Sequence, residues 1–267
     1  MLAASLAIAL LQTAGAASPP PPCPPISGVE RLLGPTAPSF VIFGETHGTS
    51  EAPELFGDIV CHAAAADPLV IALELPEEEQ APLSAFIASD GSPSERRALL
   101  RLAHWNSVDG RSSMAMLELL ERLRKLREDG ADLHVVAISG IPNPEGLDRD
   151  RIMADGWLRR GAPRSAPRLF ALVGNCHAQR VATANCVQRQ PAASLLPSQL
   201  VTTLLITGHE GRAWMCLRDG CGPASAGWGN EPRALIWVRS PDGAYDGEAS
   251  TGRPYTASPP AQREPVG

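Results

Sequence analysis

Lysine is almost missing from this chain of 267 residues; Lys125 is the only one, and arginine carries nearly all the positive charge. The net charge is −6 and the isoelectric point is near 5.5. That balance speaks against a polyanion partner such as nucleic acid, which needs clustered positive charge. Aromatic residues are scarce at 4%, so Leu, Val, Ile and Ala must fill the core. Several catalytic signatures are absent. There is no H-E-x-x-H for a zincin, no G-x-S-x-G elbow for a nucleophilic serine, and no phosphate-binding loop, since Lys125 lies in a helical stretch. No C-x-x-C pair exists, which removes the usual cysteine zinc site.

What is present begins with a small apolar run, Met1 to Leu11, followed by Ala14-Gly15-Ala16. It reads as a secretory signal peptide over 1–16 and is too short for a membrane span. A proline-rich linker over 17–27 follows, then a single α/β domain over 28–240 and a loop-rich tail over 241–267 holding one short edge strand. Six cysteines, an even number, fit a secreted or periplasmic location. Cys216 and Cys221 flank a turn and form the leading disulfide pair. Cys176 with Cys186, and Cys23 with Cys61, are the residual pairing.

Apolar strand segments fall at 39–44, 69–74, 133–138, 168–173, 200–207, 212–217 and 234–239. Helical segments fall at 51–65, 77–89, 93–103, 111–129 and 147–160. The alternation predicts an α/β fold: a central mixed, partly parallel sheet covered by helices on both faces. Antiparallel pairing is expected in the C-terminal third, where connections are short.

Two strand-Gly-x-x-His units stand out: Gly44-Glu45-Thr46-His47 and Gly174-Asn175-Cys176-His177. In open α/β sheets the ligand crevice lies at the carboxyl ends of the strands, so two imidazoles can meet at one edge. An extended path past Gly44 puts Glu45 and His47 on one side, where the carboxylate orients the ring. Glu74 closes a buried apolar strand at the same edge, a costly position for an acid unless it is paired or working. His47 is the expected base toward water, with Glu45 or Glu74 orienting it. His177 and Asn175 are expected to stabilise an oxyanion. Arg111 and Arg151 are candidates for substrate or acid contacts, with surface salt bridges as the alternative. His104 and Trp105 are candidates to line the cleft. With a metal added, Glu45, His47, Glu74 and His177 would form a two-His, two-carboxylate set suited to Zn, Mn or Fe.

Phe43-Gly44-Glu45-Thr46-His47-Gly48-Thr49-Ser50-Glu51 resembles the opening motif of erythromycin esterase-like proteins. That family has one more residue between Glu and His. The shorter form is similar to the ChaN-like haem-binding proteins and the Tiki-type proteases. Arg149-Asp150-Arg151-Ile152-Met153-Ala154, followed by Gly174-Asn175-Cys176-His177, resembles the second histidine block of the esterase family. Together the matches frame residues 39–180. The esterase branch implies hydrolysis of an ester, lactone or amide of a small-molecule or peptide substrate, with His47 as base. The Tiki branch implies a divalent metal and proteolysis. The ChaN branch implies haem, held partly through tyrosine, and only Tyr245 and Tyr255 exist here.

Overall fold

The computed structural model describes residues 23–139, 148–161, 167–186, 190–238 and 243–263. The expected signal peptide and the first part of the linker lie outside the described residues.

Phe40 to Glu45 shows no polar–apolar alternation because both its faces are covered. It forms β1 (Phe40–Glu45), buried along its whole length. The same holds for most of β2 (Leu69–Pro76) and β4 (Arg168–Gly174). Continuous apolar runs of this kind mark parallel strands with helices on both sides. β3 (Leu133–Ser139) flanks β2, and β5 (Val201–His209) flanks β1. Two later strands, β8 (Ala234–Val238) and β9 (Gly247–Pro254), complete a seven-stranded sheet in the order β3-β2-β4-β1-β5-β9-β8. All pairs are parallel except β8 with β9.

Helices cover both faces, as the alternation predicts. On one side α1 (Glu51–Ala64), α2 (Gln80–Ala88) and α4 (Met114–Glu128) pack over Val41, Phe43, Ile71 and Leu172. The short α3 (Pro93–Leu100) joins α2 to the connection before α4. On the other side α5 (Arg149–Arg160) sets Met153 and Trp157 against Phe40, Ile42, Ala72 and Ala171. The Ser113 hydroxyl accepts from the Met116 N–H and caps α4, and Asp148 caps α5 through the Arg151 N–H.

Two expectations change in the C-terminal third. Segment 212–217 does not join the main sheet. It forms β6 (Gly211–Leu217), which pairs with an unexpected β7 (Gly220–Ala226) as a separate antiparallel ribbon. Cys216 faces Cys221 directly across that ribbon, and the two are bonded. Cys23–Cys61 and Cys176–Cys186 are bonded as well. The tail strand, expected at an edge, is β9, which lies inside the sheet between β5 and β8.

The tail also laces the molecule together after β9. The Ser258 N–H donates to Gly48 O, the Ser50 N–H to Thr256 O, and the Met114 N–H to Pro259 O. The Ser258 hydroxyl accepts from the Ala115 N–H. The loop after β1 and the start of α4 therefore depend on residues far along the chain, in the tail after β9. Truncation after Arg253 should lower Tm by roughly 5 °C or more, since each lost buried hydrogen bond costs about 1 kcal/mol. It should also open the 46–50 loop to proteolysis. An unchanged melting curve would show that the tail is dispensable.

Candidate active site at the carboxyl edge of the sheet

The carboxyl ends of β1, β2 and β4 bring four of the anticipated groups to one edge. Glu45 ends β1 and pairs in register with Gly174 at the end of β4. Beyond it, His47 turns back so that its Nδ1 lies 3.1 Å from Glu45 Oε1. Its Nε2 lies 3.3 Å from Glu74 Oε2. The ring is thus bracketed by two buried carboxylates.

Glu74 owes its position to an irregularity in β2. Pairing with β3 runs to Leu73 and resumes only at Pro76, leaving Glu74 in a bulge. A bulge bends the strand and re-aims the side chain. Glu74 Oε2 accepts from the Gly174 N–H at 2.7 Å, and Oε1 accepts from Arg149 Nη2 at 2.7 Å. Arg111 Nη1 lies 4.0 Å from Oε1. Arg149 is itself fixed by Ser139 Oγ, 2.9 Å from Nε, at the end of β3.

Gly174 is required here for space. A Cβ on it would stand 2.8 Å from His47 Nε2 and 3.4 Å from Glu74 Oε2. Gly48, at φ 77°, is required for conformation and closeness, since a Cβ there would lie 2.1 Å from the Trp214 carbonyl oxygen. The loop carrying His47 is thereby pressed against the β6–β7 ribbon, where the Trp214 N–H donates to Gly48 O.

Burial works against charge on His47, but the carboxylates of Glu74 and Glu45 outweigh it and push its pKa up to about 10. Burial likewise pushes the Glu74 carboxyl up, yet His47, His177 and Arg149 together hold it well below the usual carboxylate range. His47 therefore carries a proton at neutral pH. A ring clamped between two anions holds its proton more tightly than a free imidazole.

His177 has a different setting. It sits in a short 3-10 turn, Asn175–Ala178, straight after β4. Its Nδ1 lies 2.8 Å from Asp150 Oδ1, an oxygen that also accepts from the Ala192 N–H at 2.7 Å. Among the described residues nothing bonds its Nε2. Because β1 and β4 are adjacent and parallel, the turns after them that carry His47 and His177 leave the same edge of the sheet.

Other expectations fare unevenly. Arg111 and His104 line a cleft of about 700 Å³ beside Glu74 and Arg149. Trp105 does not; it is 1% exposed and belongs to the core. His104 meets it edge-on at 5.5 Å, and burial lowers the His104 pKa. Arg151 turns away from the cleft and pairs with Asp155 one turn along α5. Its neighbour two positions earlier, Arg149, holds the place instead. The backbone of Asn175 is pinned, its carbonyl accepting from the Tyr245 hydroxyl at 2.7 Å. Asn175 has no side-chain hydrogen bond among the described residues. Arg149, Asp150 and Ser139 were not singled out from sequence, although Arg149-Asp150 opens the second motif.

For a divalent cation the donors do not fit. Both Glu74 oxygens are taken by Arg149 and Gly174, and a guanidinium 2.7 Å away repels a second cation. No cluster of three or more His, Cys, Asp or Glu is arranged to hold a metal among the described residues. For haem, the two tyrosines are poorly placed as ligands, because the Tyr255 hydroxyl donates to Ile206 O and that of Tyr245 to Asn175 O.

No family profile and no curated protein sequence matches this chain. Among solved structures it is similar to a Bacillus cereus protein at 12% identity and a TM-score of 0.56, covering 88% of this chain and 94% of that one. It is also similar to the type III effector HopBA1 at 12% identity and a TM-score of 0.46, covering 82% of this chain and 88% of that one. ChaN of Campylobacter jejuni, solved with cofacial haem, matches at 11% identity and a TM-score of 0.42, covering 64% of this chain and 82% of that one. At such identities what the Bacillus cereus protein shares with this chain is the fold.

Proposed function

We propose that the chain is an exported hydrolase acting on an ester, lactone or amide, distantly related to the esterase, ChaN and Tiki proteins whose motifs it resembles. One observation carries the reading: two imidazoles at a single sheet edge, each held by its own carboxylates but in opposite ways. His47 lies between Glu45 and Glu74 and is kept charged. His177 has one ring nitrogen on Asp150 and the other free of protein partners among the described residues. Environments that differ in this way assign acid and base roles.

His177 is the base in this scheme. Asp150 orients the ring by accepting from Nδ1–H, so that Nε2 takes a proton from water while the water oxygen attacks the carbonyl carbon. The guanidinium of Arg149 is the donor toward the developing oxyanion, while the imidazolium of His47, whose two N–H groups are engaged by Glu45 and Glu74, contributes only its charge. His177 then returns its proton to the leaving group. A general base of this kind is worth about 10²–10⁴ in rate, and each oxyanion donor a further ~10²–10³. Export is supported by the three disulfides, with no free cysteine among the described residues. No helix among the described residues is long and apolar enough to cross a membrane.

The test is turnover of a panel of aryl esters, lactones and peptide amides by the intact protein. His177→Ala should lose about 10²–10⁴ of kcat/KM while keeping the wild-type melting temperature. Asp150→Asn should lose nearly as much, because the amide can hold the wrong tautomer. Wild-type rates in both variants, or no turnover of any substrate class, would refute the proposal.

Gly174→Ala should also lose activity, because its methyl displaces His47 from Glu74. Rotation of His47 out of the bracket predicts a fall in the His47 pKa from about 10, read by NMR titration. An unshifted titration would show that the space beside Gly174 does not matter.

The ion pair also fixes a pH dependence of stability. The His47 pKa is raised, so its contribution is complete below the ordinary 6.5 and is lost as pH climbs through about 10. The Glu74 pKa is lowered, so its contribution is present above the ordinary 4.5 and is lost as acid protonates it. The pair therefore stabilises fully between about pH 4.5 and 6.5. His47→Gln should flatten the decline in Tm between pH 7 and 10 relative to wild type. Parallel profiles would mean that His47 is not held as a cation.

A further inference from the structure

The turn that carries His177 is seated on the first Gly-x-x-His unit. In a 3-10 turn residues i and i+3 eclipse, so Asn175 and Ala178 share one face of Asn175–Ala178. That face rests on Gly44. A Cβ at Gly44 would lie 3.0 Å from the Ala178 Cβ, 3.0 Å from the Asn175 Cα and 3.3 Å from the Asn175 carbonyl oxygen. Ordinary carbon contacts are about 3.5–4.0 Å. The missing side chain is therefore what lets the turn settle onto β1. Register brings it there: Gly44 pairs with Val173 and Glu45 with Gly174, so the chain leaving β4 passes beside Gly44 at once.

The segment before β9 supplies a second hold. The Tyr245 hydroxyl donates to Asn175 O at 2.7 Å, and the Arg180 N–H donates to Ala244 O at 2.7 Å. Cys176, inside the turn, is bonded to Cys186. Ala178 is fully buried in the core beneath α5. A shift of the turn by even a few tenths of an ångström strains these ties.

The path to the chemistry is short. His177 lies between Cys176 and Ala178, and its Nδ1 stands 2.8 Å from Asp150 Oδ1. That oxygen also accepts from the Ala192 N–H, so it stays in place if the turn moves. The two units are also reciprocal. Gly174, which opens the second, leaves room for His47 of the first, and Gly44, which opens the first, leaves room for the turn of the second.

We propose that Gly44 and Tyr245 are positioning residues for His177, the glycine through the space it leaves beneath the turn and the tyrosine through its hydroxyl bond to the Asn175 carbonyl. The two motif glycines act crosswise, each setting the histidine that the other copy carries. Placement of His177 by these residues is independent of the hydrolase reading; its effect on turnover rests on that reading.

NMR of the intact protein tests the placement. The Nδ1–H proton that His177 shares with Asp150 should give a downfield signal, assigned by its loss in His177→Gln. Tyr245→Phe removes a single oxygen atom and should keep the fold, while this signal moves or exchanges away. Gly44→Ala should have the same effect. Adding Ala178→Gly to Gly44→Ala should restore the signal in large part, because it removes one of the carbons pressed to 3.0 Å. On whichever ester the wild type hydrolyses, each single variant should lower kcat roughly 10- to 100-fold with KM unchanged, as expected when a base is misplaced and substrate binding is not. An unmoved Nδ1–H signal in the two folded single variants overturns the proposal, as does a Gly44→Ala effect that Ala178→Gly leaves uncorrected. Should Gly44→Ala fail to fold, an unmoved signal in Tyr245→Phe is enough to overturn it. A moved signal in a protein that hydrolyses no ester would sink the hydrolase reading and uphold the positioning.

Discussion

One buried carboxylate organises the edge of this sheet. Glu74 closes an apolar strand, and an isolated charge there would carry a desolvation cost of several kcal/mol. Its partners come from separate parts of the chain: the Gly174 N–H from β4, Arg149 from α5, His47 from the loop after β1, and Arg111 from the turn before α4. Each segment is drawn to the same point because the charge must be met. The bulge in β2 aims the carboxylate at all of them. Removing Glu74 would leave His47 with one buttress and Arg149 with only Ser139 among the described residues.

From that centre the two histidines acquire different characters. His47 sees two anions and holds its proton. His177 sees one, and Asp150 is already steadied by the Ala192 N–H. Strand-Gly-x-x-His is repeated in sequence, but the two copies differ in what lies opposite. β1 is bordered by the acidic end of β2 through Gly174, whereas the turn after β4 faces the start of α5. A duplicated motif thus yields a charged ring and an orientable one.

Much of this was legible in the residues. The unbroken runs Phe40–Phe43, Leu69–Leu73 and Leu169–Val173 name the central strands because they are covered on both faces. Glycine before each histidine marks the place where chain segments approach closely. Other features were not legible, for physical reasons. Arg149 and Arg151 lie two positions apart on α5, about 200° around the helix, so only one can face the cleft, and sequence does not fix the helix phase. β9 reads Gly-Glu-Ala-Ser-Thr-Gly-Arg-Pro, with no apolar run, since just one of its faces meets the core and the other lines a polar groove. β7, rich in glycine and alanine, has little intrinsic strand tendency and is held by pairing with β6 and by Cys216–Cys221.

These weakly patterned segments are the ones that hold the loop carrying His47. Gly48 is clasped by the Trp214 N–H of β6 and the Ser258 N–H of the tail. Glu51, at the start of α1, accepts from the Thr256 N–H at 2.7 Å. His47 is therefore positioned by contacts that span most of the chain, not by the strand from which it emerges. The loop that carries the bracketed His47 is thus held in place by the ribbon and the tail, residues that carry no chemistry of their own.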